Sequence, residues 1–236
     1  MFRRFYIYLY RVNVSKNEYI IVQQQWIRNA FISRFKCDPL KVIVARPDEL
    51  LMHEPKSQPS KPASSVTSII FPALPRVFKN YEVLLDAMRK LADIPVRLIL
   101  TLSGEENTYA EKMAEKAADL KNVDFVGFLS REELFKYYSD VDAMVFPSKL
   151  ETWGLPLSEF RSFGKPIFAA NLPYAKETLS GYGQICYFDP DDSQELCQLL
   201  RQFVVDRKFK PMRFDTIYEP PSTQGWDELV KTVGLT

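Results

Sequence analysis

Histidine, cysteine and glycine are all scarce in this chain of 236 residues, and each scarcity excludes something. The one histidine, His53, lies in a polar, proline-bracketed stretch. A lone histidine without a cysteine cluster makes a poor zinc site, and a polar linker gives a Ser-His-Asp triad no rigid frame. The three cysteines, Cys37, Cys186 and Cys197, lack metal-ligand spacing and leave an odd number, so reduced thiols packed in a cytosolic core are expected. A dominant charge sign is missing too. The formal net charge is +1, which supplies no overall field for nucleic acid. No apolar run approaches the roughly 18 residues that a membrane-spanning helix needs. Residues 1–10 are basic and then aromatic, and Arg11 cuts them too short for a good signal peptide. They read either as a buried helix of a larger domain or as an amphipathic, membrane-facing segment.

What the chain does contain is strand and helix patterns in alternation. From residue 66, strands are predicted at 66–71, 96–101, 123–126, 143–146, 166–169 and 184–188. Helices with 3.6-residue periodicity are predicted between them: from the Asn80 cap to Leu91, over 108–120, from a Ser130–Glu133 capping box to Tyr138, from Pro156 to a C-cap at Gly164, and over 193–205. Short, continuously apolar strands separated by helices predict a parallel sheet covered on both faces. That is an α/β, doubly wound, Rossmann-like domain over 66–210. Residues 47–65, rich in proline and polar residues, read as a linker. Residues 1–46 form a shorter α/β piece with strands at 19–22 and 41–44 around a helix bearing Trp26, Phe31 and Phe35. Two strands bury little surface alone, so that aromatic face is expected to be uncovered and to self-associate. Residues 211–236 form an extension ending in a helix led by Trp226.

The unusual residues fall after the carboxyl ends of the predicted strands, where open α/β sheets bind ligands. Arg76 and Lys79 follow the first strand, Ser103-Gly104-Glu105-Glu106 the second and Gly127-Phe128-Leu129 the third. The segment from Pro147 to Glu159 follows the fourth, and Asn171-Leu172-Pro173-Tyr174 the fifth. Two cations near a helix start suit a diphosphate. Glu105 and Glu106 would oppose one and are expected to face solvent. In Glu151-Thr152-Trp153-Gly154-Leu155-Pro156-Leu157-Ser158-Glu159, two carboxylates stand seven residues apart. Pro156 suits a first helical turn, Gly154 allows close backbone approach, and freed amides at the helix start attract phosphate.

This segment resembles the Glu-x7-Glu motif of retaining nucleotide-sugar glycosyltransferases of the GT-B fold, glycosyltransferase family 4. The resemblance covers residues 19–206. It implies that Arg76 and Lys79 neutralise the donor diphosphate and its departing charge. It implies that Glu151 contacts the transferred sugar, and that Glu159 accepts hydrogen bonds from the ribose hydroxyls. Gly154, Leu155 and Leu157 would line the donor, Gly127 and Phe128 the base, and Gly104 the rim. The loop after the first strand departs from the family pattern, because Ala73-Leu74-Pro75 stands where a glycine is usual. Residues 1–46 resemble the end of the first GT-B domain. The Trp226 helix resembles the element that crosses back to that domain, although packing on its own domain fits the sequence equally well.

The implied function is hexose transfer, with retention, from a UDP-, GDP- or dTDP-sugar to a glycan or lipid-linked acceptor, without a metal or other cofactor. The setting is polysaccharide or lipopolysaccharide assembly in the cytoplasm, peripheral to the inner face of the membrane. This chain would be mainly the donor half, weak or inactive alone. A non-catalytic nucleotide-sugar-binding subunit that needs an N-terminal partner is the alternative. A hexose epimerase would use histidine around the donor. A phosphate-receiver domain needs acids where Arg76 and Lys79 stand.

Overall fold

The computed structural model describes residues 2–48 and 65–234, so His53 and most of the expected linker lie outside the described residues. The described chain divides into two compact units, one of residues 2–48 with 215–234 and one of residues 65–214. Among the described residues, no helix is long and apolar enough to cross a membrane.

The first unit begins with α1 (Phe2–Asn13), β1 (Ile20–Val22), α2 (Gln25–Phe35) and β2 (Val42–Arg46). In the second, strands and helices alternate: β3 (Thr67–Phe71), α3 (Tyr81–Lys90), β4 (Val96–Leu100), α4 (Thr108–Ala117), β5 (Val123–Phe125), α5 (Arg131–Asp140) and β6 (Ala143–Phe146). It continues with α6 (Leu155–Arg161), β7 (Ile167–Ala170), α7 (Pro173–Thr178), β8 (Ile185–Phe188) and α8 (Ser193–Val204). The chain ends in the first unit with β9 (Ser222–Gln224) and α9 (Gly225–Thr232).

The small unit gains a third strand that was not predicted. β9 pairs with β2 in parallel, Val44 opposite Ser222, and the sheet order is β1-β2-β9. Ser222-Thr223-Gln224 has no apolar pattern, and its extended state comes from the pairing. A buried cation fixes the junction. Arg28 of α2 donates to the carbonyls of Val42 at 2.9 Å, Pro39 at 3.0 Å and Pro220 at 3.1 Å, and pairs with Glu219 at 2.9 Å. These bonds satisfy the guanidinium and tie the returning chain to α2 and β2. The expected uncovered aromatic face is partly covered. Tyr10 of α1 lies 5.7 Å from the ring centroids of both Phe31 and Phe35, and all three of Trp26, Phe31 and Phe35 are only partly exposed.

The second unit is the doubly wound domain. Its six strands are all parallel, in the order β5-β4-β3-β6-β7-β8. Residues 143–146, 167–170 and 185–188 are buried along their whole length: β6 and β7 are inner strands between helical layers, and the edge strand β8 is met by the chain at Met212, whose N–H donates to the Ile185 carbonyl at 2.7 Å. The Ser130–Glu133 capping box forms at the start of α5. One helical expectation needs correction: α6 ends at Arg161, short of Gly164. Pro173 and Tyr174 begin a short helix, α7, that the sequence did not predict.

Two buried tyrosines separate pairing from packing. The Tyr174 hydroxyl donates to the Ser148 carbonyl at 2.6 Å, whereas the Tyr138 hydroxyl has no partner among the described residues. Tyr174→Phe should cost about 1–3 kcal/mol, because it leaves a buried carbonyl unpaired, and Tyr138→Phe should cost roughly nothing. Urea-unfolding midpoints of the two variants check this; equal losses would contradict the assigned bonds.

Candidate functional site

The strand order reverses between β3 and β6, so the loops leaving these strands part and open a crevice at their carboxyl ends. The floor is aromatic. Phe71 and Phe146, the last residues of β3 and β6, are fully buried with centroids 5.5 Å apart, and Tyr81 lies 4.9 Å from Phe71.

The loop after β3 runs from Pro72 to Asn80 without a glycine, and hydrogen bonds define its course. Ala73 N–H donates to Thr101 Oγ1 at 3.1 Å, and its carbonyl accepts from the Tyr81 hydroxyl at 2.5 Å. Asn107 caps α4 with its side-chain oxygen and donates from its amide to the Pro75 carbonyl at 3.0 Å. Asn80 stands at the start of α3, as predicted, but its side chain does not cap the helix. Its φ of 61° is left-handed, and its amide donates to the carbonyls of Pro147 at 3.2 Å and Pro190 at 2.7 Å.

The loop after β6 is fastened from three directions. Lys149 N–H donates to the Phe78 carbonyl at 2.8 Å, Tyr174 holds Ser148, and the Thr178 hydroxyl donates to the Trp153 carbonyl. Trp153 itself is buried, and its indole N–H donates to Ser158 Oγ at 2.8 Å. Across the crevice, Lys79 Nζ meets Glu151 Oε1 at 2.5 Å, with the two side chains only 15% and 14% exposed. The ammonium also lies 5.6 Å from the ring centroids of Phe78 and Phe146. Arg76 is exposed and pairs with no acid among the described residues.

A cleft of about 270 Å³ opens beside Lys79. Residues 72–74, Lys79 and Thr101 line it from the β3 and β4 ends. Phe128, Leu129, Leu134 and Pro156 line it from the β5–α5 turn, α5 and α6. Phe128 is 81% exposed, an unusual state for a large apolar ring. Gly127 takes a left-handed φ of 77° and turns the chain into this rim. Glu159 shares a face of α6 with Pro156, three residues earlier. Burial pushes its carboxyl above the usual carboxylate range, and Arg131, 3.7 Å away, pulls in the opposite direction.

Four predicted details change. Leu157 is fully buried and its N–H donates to the Gly154 carbonyl at 2.9 Å, so neither is offered to a ligand; Leu155 is 55% exposed. Pro156 has no N–H, so the helix start presents fewer free amides than expected. Gly154 is required by its own conformation: φ is 87°, and a Cβ would lie 3.3 Å from Leu157 Cδ1. At Gly104 a Cβ would come within 2.8 Å of Ala114 Cβ, so close packing on α4 accounts for this glycine. Glu105 and Glu106 are exposed, as expected, and the Glu106 carboxylate also accepts from the amides of Ser103 at 2.5 Å and Gly104 at 3.0 Å. Sequence reasoning placed Tyr174 past the fifth strand and missed Thr101 and Arg131. Of these two, only Arg131 carried a signal, its place directly after the Ser130 cap.

The family model described as "Glycosyl transferases group 1" matches residues 55–217. The D-rhamnosyltransferase WbpZ of Pseudomonas aeruginosa is 31% identical over 118 residues, which is 49% of this chain and 30% of that protein. A solved glycosyltransferase from Rickettsia africae superposes with a TM-score of 0.69 at 19% identity, covering 83% of this chain and 55% of that one. Anabaena Alr3699/HepE, solved with UDP and glucose, gives 0.63 at 22% identity, covering 80% and 54%. The chain therefore spans less than a third of the first protein and about half of the two solved ones. These structural likenesses show the GT-B fold.

The glycine geometry generates a stability order. Gly104→Ala combines a φ of 94° with the Ala114 clash and should cost more than Gly127→Ala, where φ is 77° and nothing lies within 4 Å of a Cβ. The left-handed conformation alone costs roughly 1–2 kcal/mol. Thermal unfolding of the two variants reads the order, and a Gly127→Ala loss equal to or above that of Gly104→Ala would contradict it.

Proposed function

This chain belongs to the glycosyl transferases of group 1, and on that footing we propose that its six-stranded unit binds a nucleotide-diphosphate sugar in the crevice between β3 and β6, as the donor half of a retaining hexosyl transfer. The observation that carries this reading is the half-buried Lys79–Glu151 contact across the strand-order reversal, beside a cleft with an exposed aromatic rim. In this reading Phe128 stacks on the base. Glu159 accepts from the ribose hydroxyls, and Lys79 with Arg76 receives the diphosphate.

The chemistry follows from charge. Breaking the glycosidic bond leaves positive charge at the anomeric carbon and a second negative charge on the leaving diphosphate. Glu151 stabilises the former. Lys79 has three N–H donors, so it can keep Glu151 and still donate to a phosphate oxygen. Arg76 adds a second cation, and fixed charges in a partly desolvated crevice are worth more than in water. The two cations meet the diphosphate's charge without calling on a metal. The UDP and glucose bound to Alr3699/HepE and the rhamnosyl transfer in the name of WbpZ support a nucleotide-sugar donor and glycosyl transfer. The acceptor in this reading is a glycan or lipid-linked molecule of polysaccharide assembly.

Transfer also requires an acceptor held against the donor, and much of the rate comes from that positioning. We assign donor binding to this chain and acceptor binding to a complementary half. Supplied with radiolabelled donor sugars and lipid-linked acceptors, the chain alone should give no appreciable transfer; robust transfer would overturn the division. A nucleotide-sugar-binding subunit without turnover is the second reading. It would bind donor equally well and stay inactive with the complementary half present.

Calorimetry with nucleoside diphosphates tests the site. Glu159→Ala should weaken binding by roughly 1.5–3 kcal/mol, the value of a hydrogen bond to a charged group. Arg76→Ala and Lys79→Ala should each weaken diphosphate binding, and the loss at the exposed Arg76 should be larger at low salt, because exposed charge is screened over about 10 Å at 0.1 M and the part-buried Lys79 is screened less. Equal affinity of the parent for a nucleoside and its diphosphate would remove Arg76 and Lys79 from the site.

A further inference from the structure

Arg131 occupies the first position of α5, where free backbone amides and the helix dipole disfavour a cation. A charge kept in a locally unfavourable place points to a partner elsewhere. The reciprocal cap fixes its turn: Ser130 N–H donates to Glu133 at 2.8 Å, and Glu133 N–H donates back to Ser130 Oγ at 3.3 Å. From there the guanidinium lies 5.4 Å from the Phe135 ring centroid and reaches Glu159 Oε1 at 3.7 Å. Glu159 is 18% exposed and Arg131 66%, so an inward carboxylate is met by a solvent-facing cation. The titratable groups acting on Glu159 are Arg131 and the buried, neutral phenol of Tyr138, both from α5. Glu159 on α6 and Arg131 on α5 stand one helical turn from Pro156 and Leu134, which line the cleft.

Resting on the donor reading above, we propose that Arg131 is a positioning residue that holds Glu159 as an anionic acceptor for a 2′,3′-diol, so that the site takes ribonucleoside rather than 2′-deoxyribonucleoside diphosphates. An ionised carboxylate is acceptor-only, with two oxygens that match the two hydroxyls of a vicinal diol. A protonated carboxyl spends one oxygen as a donor and loses the match. A deoxyribose leaves one acceptor unpaired in a half-buried place. The donor set of UDP-, GDP- and dTDP-sugars then narrows to the first two. Removing Arg131 leaves burial unopposed. The Glu159 carboxyl then rises further above its ordinary value, and the diol contact is lost from the acid side as pH falls.

The test is calorimetry of UDP against dUDP with the parent, Arg131→Met, Arg131→Gln and Arg131→Lys, each across a pH series. The parent should prefer UDP about tenfold near neutral pH, as one hydrogen bond to a charged group implies. The Met and Gln variants should lose that preference at a higher pH than the parent does, and Lys should restore the parent's profile. Neutral variants whose ratio follows the parent's profile would overturn the role of Arg131 while leaving the donor reading intact. A parent that binds UDP and dUDP alike would overturn the diol selection. A parent that binds no nucleoside diphosphate would overturn the donor reading, and this proposal with it.

Discussion

One ion pair organises the candidate site. Lys79 and Glu151 lie 72 residues apart in sequence and meet only because β3 and β6 are neighbours. Taking both charges out of water costs several kcal/mol per ion, which their attraction only about repays. The pair is therefore a poor device for stability and a good one for placing two opposite charges at a fixed separation. That suits a reaction whose transition state separates charge across one bond.

Holding such a pair requires loops that do not drift, and the surrounding shell supplies this. Asn80 spans to the loops after β6 and β8, Thr101 and Tyr81 clamp Ala73, and Tyr174 with Thr178 clamps the segment carrying Glu151. Most of these bonds end on backbone carbonyls. Each therefore satisfies a buried polar group and fixes a loop in the same contact. The absent glycine after β3 matters little, because a loop whose polar groups are paired in this way needs no special backbone freedom.

The sheet and the line of the site were legible because their signals are local. Apolar runs of four or five residues mark the buried strands, and the residues past their ends mark the crevice. What escaped was decided by distant partners. Ser222–Gln224 has no strand pattern and becomes a strand by pairing with β2. Asn80 reads as a cap from its neighbours, yet bonds carbonyls 67 and 110 residues away. Gly104 and Leu157 look like ligand positions from their motifs, and their packing gives them other work.

The capping box at Ser130 has a consequence for how this site can change over time. A helix turns about 100° per residue. One residue gained or lost within α5, between Arg131 and the buried Tyr138, would therefore swing Arg131 to another side of the helix, away from α6. A change in the turn at residues 126–129 alters the rim while leaving that heading intact. Lineages descending from such a domain should thus hold the spacing from Ser130 to Tyr138, and Gly127 with its left-handed backbone, while the rest of the turn varies.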